Sequence, residues 1–263
     1  MEPPREDRPQ SLDAYAPREI AARVASAGVA KAATPLGPLL TLAVLAGAFI
    51  AFGGAYYTAV LTGAEPVTGA DRMLAALGFC LGLQLVVVGG AELFTGNALM
   101  VMALVDRRIE PAALLRNWSV VFAGNGAGAL AVAAAMAAAG LLDGPTGAVA
   151  AGIAEAKASL PAGEAFFRGV LCNALVCLAV WLAMSARSAT GKAVVILLPV
   201  SAFVALGFEH SVANLYLIPA GILAGAEPAA GDVLRNLVFV TLGNIVGGGG
   251  GVALAYRFAY GGR

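Results

Sequence analysis

The chain has 263 residues, of which 60% are hydrophobic and 12% charged, and its formal net charge at pH 7 is zero. Soluble globular domains carry about 25% charged residues, so this composition excludes an ordinary soluble protein and indicates a membrane protein. The zero net charge argues against a nucleic-acid partner, because phosphate binding needs a clustered excess of basic side chains.

The N-terminal segment is polar at first and then amphipathic. MEPPREDRPQ is followed by no apolar stretch, which argues against a signal peptide. Over residues 11–33, Leu12, Ile20 and Val24 recur at helical spacing with charged residues between them. This pattern predicts an amphipathic helix along the membrane interface.

Six windows are long and apolar enough to be membrane spans, which need roughly 20 residues. They cover residues 36–62, 73–105, 112–142, 166–186, 193–226 and 233–258. The second and fifth windows are too long for one helix, and polar, glycine-bearing stretches interrupt them, GGAELFTGN at 89–97 and GFEHSVAN at 207–214. We predict an all-α membrane protein with six spans, of which the second and fifth are broken.

Lysine and arginine predict the orientation. Twelve of them lie in the termini and in the second and fourth connections, and four lie on the opposite side: Arg72, Lys157, Arg168 and Arg235. The positive-inside rule then predicts that both termini lie in the cytoplasm. We expect the protein in the cytoplasmic (inner) membrane. We expect a cytoplasmic segment at 1–34, a transport domain at 35–259 and a short cytoplasmic tail at 260–263.

Two pairs of polar motifs indicate an internal repeat. GAELFTGN (90–97) and GFEHSVAN (207–214) share Gly, Glu and Asn at a distance of 117 residues. LRNWSVVFAGN (115–125) and LRNLVFVTLGN (234–244) match at a distance of 119 residues. Two halves of three spans each must insert with opposite topology, which is the inverted-repeat plan of many transporters.

Glycines recur at every fourth position in the third and sixth windows. Small residues at this spacing let helix backbones approach closely in membranes. We therefore predict close helix packing at Gly124, Gly128, Gly243, Gly247 and Gly251.

The two breaks predict a polar cavity, because lipid cannot satisfy non-helical backbone groups. Half-helix N-termini exposed by such breaks favour anions. Glu92 and Glu209 would each cost about 2.5–3.5 kcal/mol at the bilayer centre. Our main interpretation is that both carboxylates cap free N–H groups of the breaks, with Asn97 and Asn214 as further supports, and a direct role in transport is the alternative.

His210 is the one histidine of the chain, and it lies in the second break. A histidine inside a membrane protein is often a neutral hydrogen-bonding link between helices. With an unperturbed pKa of about 6.5, it could instead donate a hydrogen bond or a proton to an anion in the cavity.

Three motifs together resemble the formate/nitrite transporter family. They are AELFTGN, LCNALVCLAVWLA (171–183) and GFEHSVANLYLIP (207–219), and the resemblance extends from about residue 35 to 256. It implies a homopentamer of aquaporin-like protomers, each with its own pore for formate, nitrite or related small monovalent anions.

The resemblance also implies roles for individual residues. The central pore histidine corresponds to His210, its companion threonine to Thr95, the facing asparagine to Asn173 and a vestibule lysine to Lys157. The hydrophobic constrictions correspond to Phe79, Leu83, Leu93, Phe94 and Phe203. Each has a plainer alternative: the apolar residues as core or lipid contacts, Thr95 and Asn173 as structural hydrogen bonders, and Lys157 as the partner of Glu155.

The predicted function is passage of formate with pH-dependent or proton-coupled flux, as a channel or a symporter. Nitrite or hydrosulfide transport within the same family is the nearest alternative. A neutral-solute channel of the aquaporin type is a weaker one, since neither break contains Asn-Pro-Ala. A membrane enzyme using His210 and Glu209 is disfavoured, because no nucleophile or metal cluster accompanies them. We expect no cofactor and no metal.

Overall fold

The computed structural model describes residues 13–260, and every regular element in that range is helical. Eleven α-helices follow in chain order. They are α1 (Pro17–Ala33), α2 (Leu36–Leu61), α3 (Gly69–Gly89), α4 (Val101–Val105), α5 (Pro111–Ala138), α6 (Gly144–Ala158), α7 (Ala162–Ser185), α8 (Ala189–Ala205), α9 (Ser211–Leu223), α10 (Ala230–Ile245) and α11 (Leu254–Tyr260). A 3₁₀-helix, Gly96–Met100, precedes α4, and a π-helix, Val246–Ala253, joins α10 to α11.

The six predicted windows are all helical, and the two predicted breaks are present. The continuous helices α2, α3, α5, α7 and α10–α11 are each long and apolar enough to cross a membrane. The second window is divided between α3 and the short 3₁₀–α4 segment, and the fifth between α8 and α9. The protein is therefore an all-α, multi-pass membrane protein with interrupted second and fifth spans.

Helix α6 was not predicted. Its 15 residues are mostly alanine and glycine, so in the sequence they merge with the apolar end of the third window. The third span instead ends at Ala138, and the chain turns at Gly140 and Gly144, both with positive φ. The new helix packs against α9 through Gly221, where a Cβ would lie 2.3 Å from that of Ala154.

The predicted glycine contacts are confirmed, except for one. A Cβ on Gly128 would lie 2.0 Å from the Val44 carbonyl oxygen, so α5 lies directly against α2. Gly247 makes the same approach to Val170, which brings the end of the sixth span against α7. Gly251 is exposed and makes no such contact within residues 13–260: the nearest atom would be 3.8 Å away, within the same helical segment.

Helix α1 is amphipathic as predicted, but its apolar face contacts protein. Ile20 and Val24 are buried in one cluster with Leu99, Met102 and Trp181. The helix therefore covers the first break from one side. Leu12, also predicted for this face, lies outside the described residues.

Candidate functional site

An asparagine from α5 satisfies the backbone of the first break. Helix α3 ends just before Gly90, which has a φ of 84°. The Asn125 side-chain oxygen accepts the N–H of Phe94 at 2.9 Å. Its amide nitrogen donates to the carbonyls of Ala43 and Glu92 at 2.7 and 2.9 Å.

An asparagine from α10 does the same for the second break. Helix α8 is followed by Gly207, which has a φ of 70°. The Asn244 oxygen accepts the N–H of Ser211 at 2.9 Å, and its nitrogen donates to Gly169 and Glu209 carbonyls at 2.8 and 2.9 Å. Both breaks are therefore held by the same set of bonds, made by the final asparagine of the second motif pair. The sequence pattern identified this motif pair, but it did not predict that the asparagines bind the backbone of the breaks.

Each break also carries an ion pair between a buried glutamate and a half-buried lysine. Lys31 Nζ lies 2.6 Å from Glu92, whose other oxygen accepts from the Asn97 amide at 2.7 Å. Asn97 donates in addition to Asn117 at 2.9 Å. The carboxylate is thus neutralised and hydrogen-bonded, as a buried charge must be.

The second break repeats this network. Lys157 Nζ lies 2.9 Å from Glu209, whose other oxygen accepts from Asn214 at 2.7 Å, and Asn214 donates to Asn236 at 2.8 Å. The partner of Lys157 is therefore Glu209 and not Glu155.

The predicted capping of free N–H groups by the two glutamates was wrong. Within residues 13–260, the Glu92 and Glu209 carboxylates accept hydrogen bonds from lysine and asparagine side chains. Asparagine is the better cap here, because one amide can accept from an N–H and donate to carbonyls at once. The carboxylates stabilise the breaks through Asn97 and Asn214 instead.

His210 and Thr95 meet where the two breaks face each other. The Thr95 hydroxyl lies 2.8 Å from His210 Nε2, and both side chains are buried. His210 is also the N-cap of α9, since its Nδ1 accepts the N–H of Ala213 at 3.0 Å. An accepting Nδ1 means that the neutral imidazole carries its proton on Nε2, so Nε2–H donates to Thr95. The proton of the Thr95 hydroxyl is then free for another acceptor.

Asn173 joins this centre from α7. Its amide nitrogen donates to the carbonyl oxygens of Thr95, at 3.1 Å, and Asn244, at 2.6 Å. Its buried side-chain oxygen has no partner among the described residues. Asn173 therefore fixes the backbone that presents the Thr95 hydroxyl.

Aromatic rings cover one side of His210. Phe203 stacks on the imidazole with a centroid distance of 5.9 Å, and Phe79 meets Phe203 edge to face at 5.9 Å. Phe94 points elsewhere: its ring packs on Trp118 and Phe122 of α5, at 6.0 and 5.0 Å.

Two cavities approach the centre from opposite sides. The Lys157 cavity, about 70 Å³, is lined by Lys157, Phe79, Phe203 and His210 among others. The Lys31 cavity, about 280 Å³, is lined by Lys31, Glu92, Asn97, Leu83 and Leu93 among others. The predicted apolar residues are thus divided, with Phe79 and Phe203 on one side of the centre and Leu83 and Leu93 on the other.

The centre offers hydrogen-bond donors in apolar surroundings, with one lysine in each adjoining cavity. Such an arrangement suits a small anion, which needs donors where it loses water. Within residues 13–260 no three His, Cys, Asp or Glu side chains are grouped so that they could hold a metal ion.

Comparison with known proteins gives the family. The family described as formate/nitrite transporter matches residues 18–258. The chain is 40% identical to a probable formate transporter of Methanothermobacter thermautotrophicus, covering 93% of this chain and 96% of that protein. It is 36% identical to the formate channel FocA of Escherichia coli K12, with 95% of each covered. A solved pentameric formate channel with formate bound is 36% identical, with a TM-score of 0.77 over 86% of this chain and 97% of that one. The chain belongs to the formate/nitrite transporter family.

Proposed function

We propose that this protein carries formate across the cytoplasmic membrane through a pore within each protomer, with both termini in the cytoplasm. The related proteins named as formate transporters and channels support formate over nitrite. The similar pentameric structure supports a homopentamer in which each protomer has its own pore. The two halves of the chain, with the same bonds at each break, support the inverted repeat.

The observation that carries this proposal is the 2.8 Å contact between Thr95 and His210, with a cavity approaching from either side. Thr95 belongs to the first break and His210 to the second. A solute moving between the cavities would pass this pair of side chains.

The proposed path has three stages. Lys157 in one cavity, or Lys31 in the other, attracts the anion electrostatically. Phe79 and Phe203 on one side, and Leu83 with Leu93 on the other, strip its water. The Thr95 hydroxyl, positioned by Asn173 and His210, then donates a hydrogen bond in place of water, which lowers the desolvation cost.

Proton coupling enters through the cap of α9. Protonating Nδ1 breaks its bond to the Ala213 N–H, so an imidazolium forms only when the cap is given up. An imidazolium that transfers a proton to formate becomes a neutral imidazole again, and the solute then crosses as neutral formic acid. We therefore propose that flux rises as the pH falls.

The test is uptake into liposomes containing purified protein, with formate, nitrite and hydrosulfide as solutes between about pH 5 and 8, the range in which an ordinary histidine titrates. Wild-type protein is expected to carry formate faster at low pH. His210→Asn can still cap α9, so this variant is expected to carry formate. The ratio of its flux at low pH to its flux at high pH is expected to be smaller than that of the wild type by a factor of about ten or more. Absence of flux for all three solutes would overturn the proposal, and an unchanged pH profile in His210→Asn would reduce His210 to a structural residue.

A further inference from the structure

A third cavity adjoins the Lys157 cavity on the side away from His210. This cavity, which we call the Arg72 cavity, has a volume of about 650 Å³. Its charged lining residues are Arg72, Arg168 and one carboxylate, Glu65. Arg168 pairs with Glu164 through one nitrogen at 3.0 Å, while the side chain of Arg72 has no ion-pair or hydrogen-bond partner within residues 13–260. The side chain of Arg72 therefore gives the cavity an unpaired cation that can attract anions.

A solute that leaves this cavity for the centre passes a narrow junction. Four residues line both the Arg72 cavity and the Lys157 cavity: Tyr57, Ile153, Val204 and Gly207. Only Tyr57 among them has a side chain that forms hydrogen bonds. Its hydroxyl is thus the one side-chain donor among the residues that the two cavities share.

The hydroxyl of Tyr57 is also uncommitted. Tyr57 is half-buried, and its hydroxyl has no hydrogen-bond partner in the described part of the chain. A tyrosine hydroxyl without a protein partner at a solute junction is available to a ligand. Tyr57 lines both the cavity that contains Arg72 and the cavity that contains Glu209.

The cavity narrows sharply at the junction, and the Tyr57 hydroxyl can compensate for the water that an anion loses there. An anion moves from about 650 Å³ to about 70 Å³, and most of its water must stay behind. The next donor is Lys157, which is already paired with Glu209. A neutral O–H at this step replaces one lost water without holding the anion as tightly as a free cation would.

We propose that Tyr57 is a specificity-determining residue that hydrogen-bonds oxygen-bearing anions as they enter the narrow part of the pore. Carboxylate and nitrite oxygens are strong acceptors for an O–H donor, whereas sulfur is a weak one. Tyr57 therefore favours formate and nitrite over hydrosulfide. The inference rests on the proposed transport function and adds the basis of selection to it.

The experiment compares the Tyr57→Phe and Tyr56→Phe variants in liposomes. Uptake of formate, nitrite and hydrosulfide is measured separately, with each solute added to the same side of the membrane. Tyr56 is 52% exposed and packs its ring on Gly78, and it lines neither cavity, so its variant controls for loss of a tyrosine hydroxyl as such. For Tyr57→Phe we expect the KM for formate and nitrite to rise about fivefold or more, and that for hydrosulfide to change by about twofold or less. Tyr56→Phe is expected to behave as wild type.

The outcomes separate this inference from the proposed function. If wild-type protein carries formate and Tyr57→Phe matches it, the role of Tyr57 is wrong while the transport function stands. Equal losses for all three solutes, or equal losses in both variants, would also overturn selection by Tyr57. If wild-type protein carries none of the three solutes, the function and the inference fall together.

Discussion

Replacing Asn244 by leucine is expected to destabilise the protein by several kcal/mol and to remove most folded material. The variant leaves three buried backbone groups, those of Ser211, Gly169 and Glu209, without their partner. Each orphaned group costs about 1–3 kcal/mol. Thermal unfolding in detergent, followed by size-exclusion chromatography of the same samples, measures the effect.

Gln84→Leu is the matched control for this loss. Gln84 also lies in a span, but it makes a single 3.3 Å hydrogen bond to Ala193 from a half-buried position. Its loss is expected to cost about 1 kcal/mol or less, as for average side-chain hydrogen bonds in membranes. Equal stability of the Asn244→Leu and Gln84→Leu variants would show that the breaks do not depend on the asparagine network.

Gly47→Ala is expected to cost about 1–3 kcal/mol or more, because it overpacks a helix contact made of backbone. A Cβ on Gly47 would lie 2.0 Å from the carbonyl oxygen of Asn125, so α2 and α5 must separate. That shift also moves the Asn125 side chain, which holds the first break. We therefore expect a lower unfolding temperature together with reduced formate uptake per folded protomer.

Gly37→Ala tests whether the contact, rather than glycine itself, matters. Gly37 lies in the same helix, and no atom in the described part of the chain would come within 4 Å of a Cβ there. Because alanine favours helix by about 1 kcal/mol over glycine, this variant is expected to be as stable as wild type or more so. A Gly47→Ala protein with wild-type stability and flux would contradict the packing described for α2 and α5.

The spans and breaks could be predicted because polar, glycine-bearing stretches contrast strongly with apolar surroundings. Helix α6 could not, since its alanine and glycine residues continue the hydropathy of the third window. The apolar face of α1, with Ile20 and Val24, was predicted. That this face packs on protein and not on lipid could not be predicted, because both environments favour the same apolar residues.

At the site, the resemblance indicated His210 and Thr95, and the fold brings them together across 115 residues. The partners of the glutamates were missed. A signal was available: a carboxylate inside a membrane requires a cation, and the chain has few lysines. The orientation of the Phe94 side chain could not be predicted from the sequence, because it is set by tertiary contacts with the rings of Trp118 and Phe122. The transport roles of all these residues stay predictions.

The most direct test of the account is formate flux through Thr95→Val in liposomes. Valine keeps the shape of threonine but removes the hydroxyl that lies 2.8 Å from His210. Thr58→Val is the isosteric control, since among residues 13–260 the Thr58 hydroxyl bonds only to the Gly54 carbonyl of its own helix. The account predicts that Thr95→Val loses about tenfold or more of the flux at equal incorporation, while Thr58→Val keeps it. Wild-type flux in Thr95→Val would contradict an anion path between the two breaks.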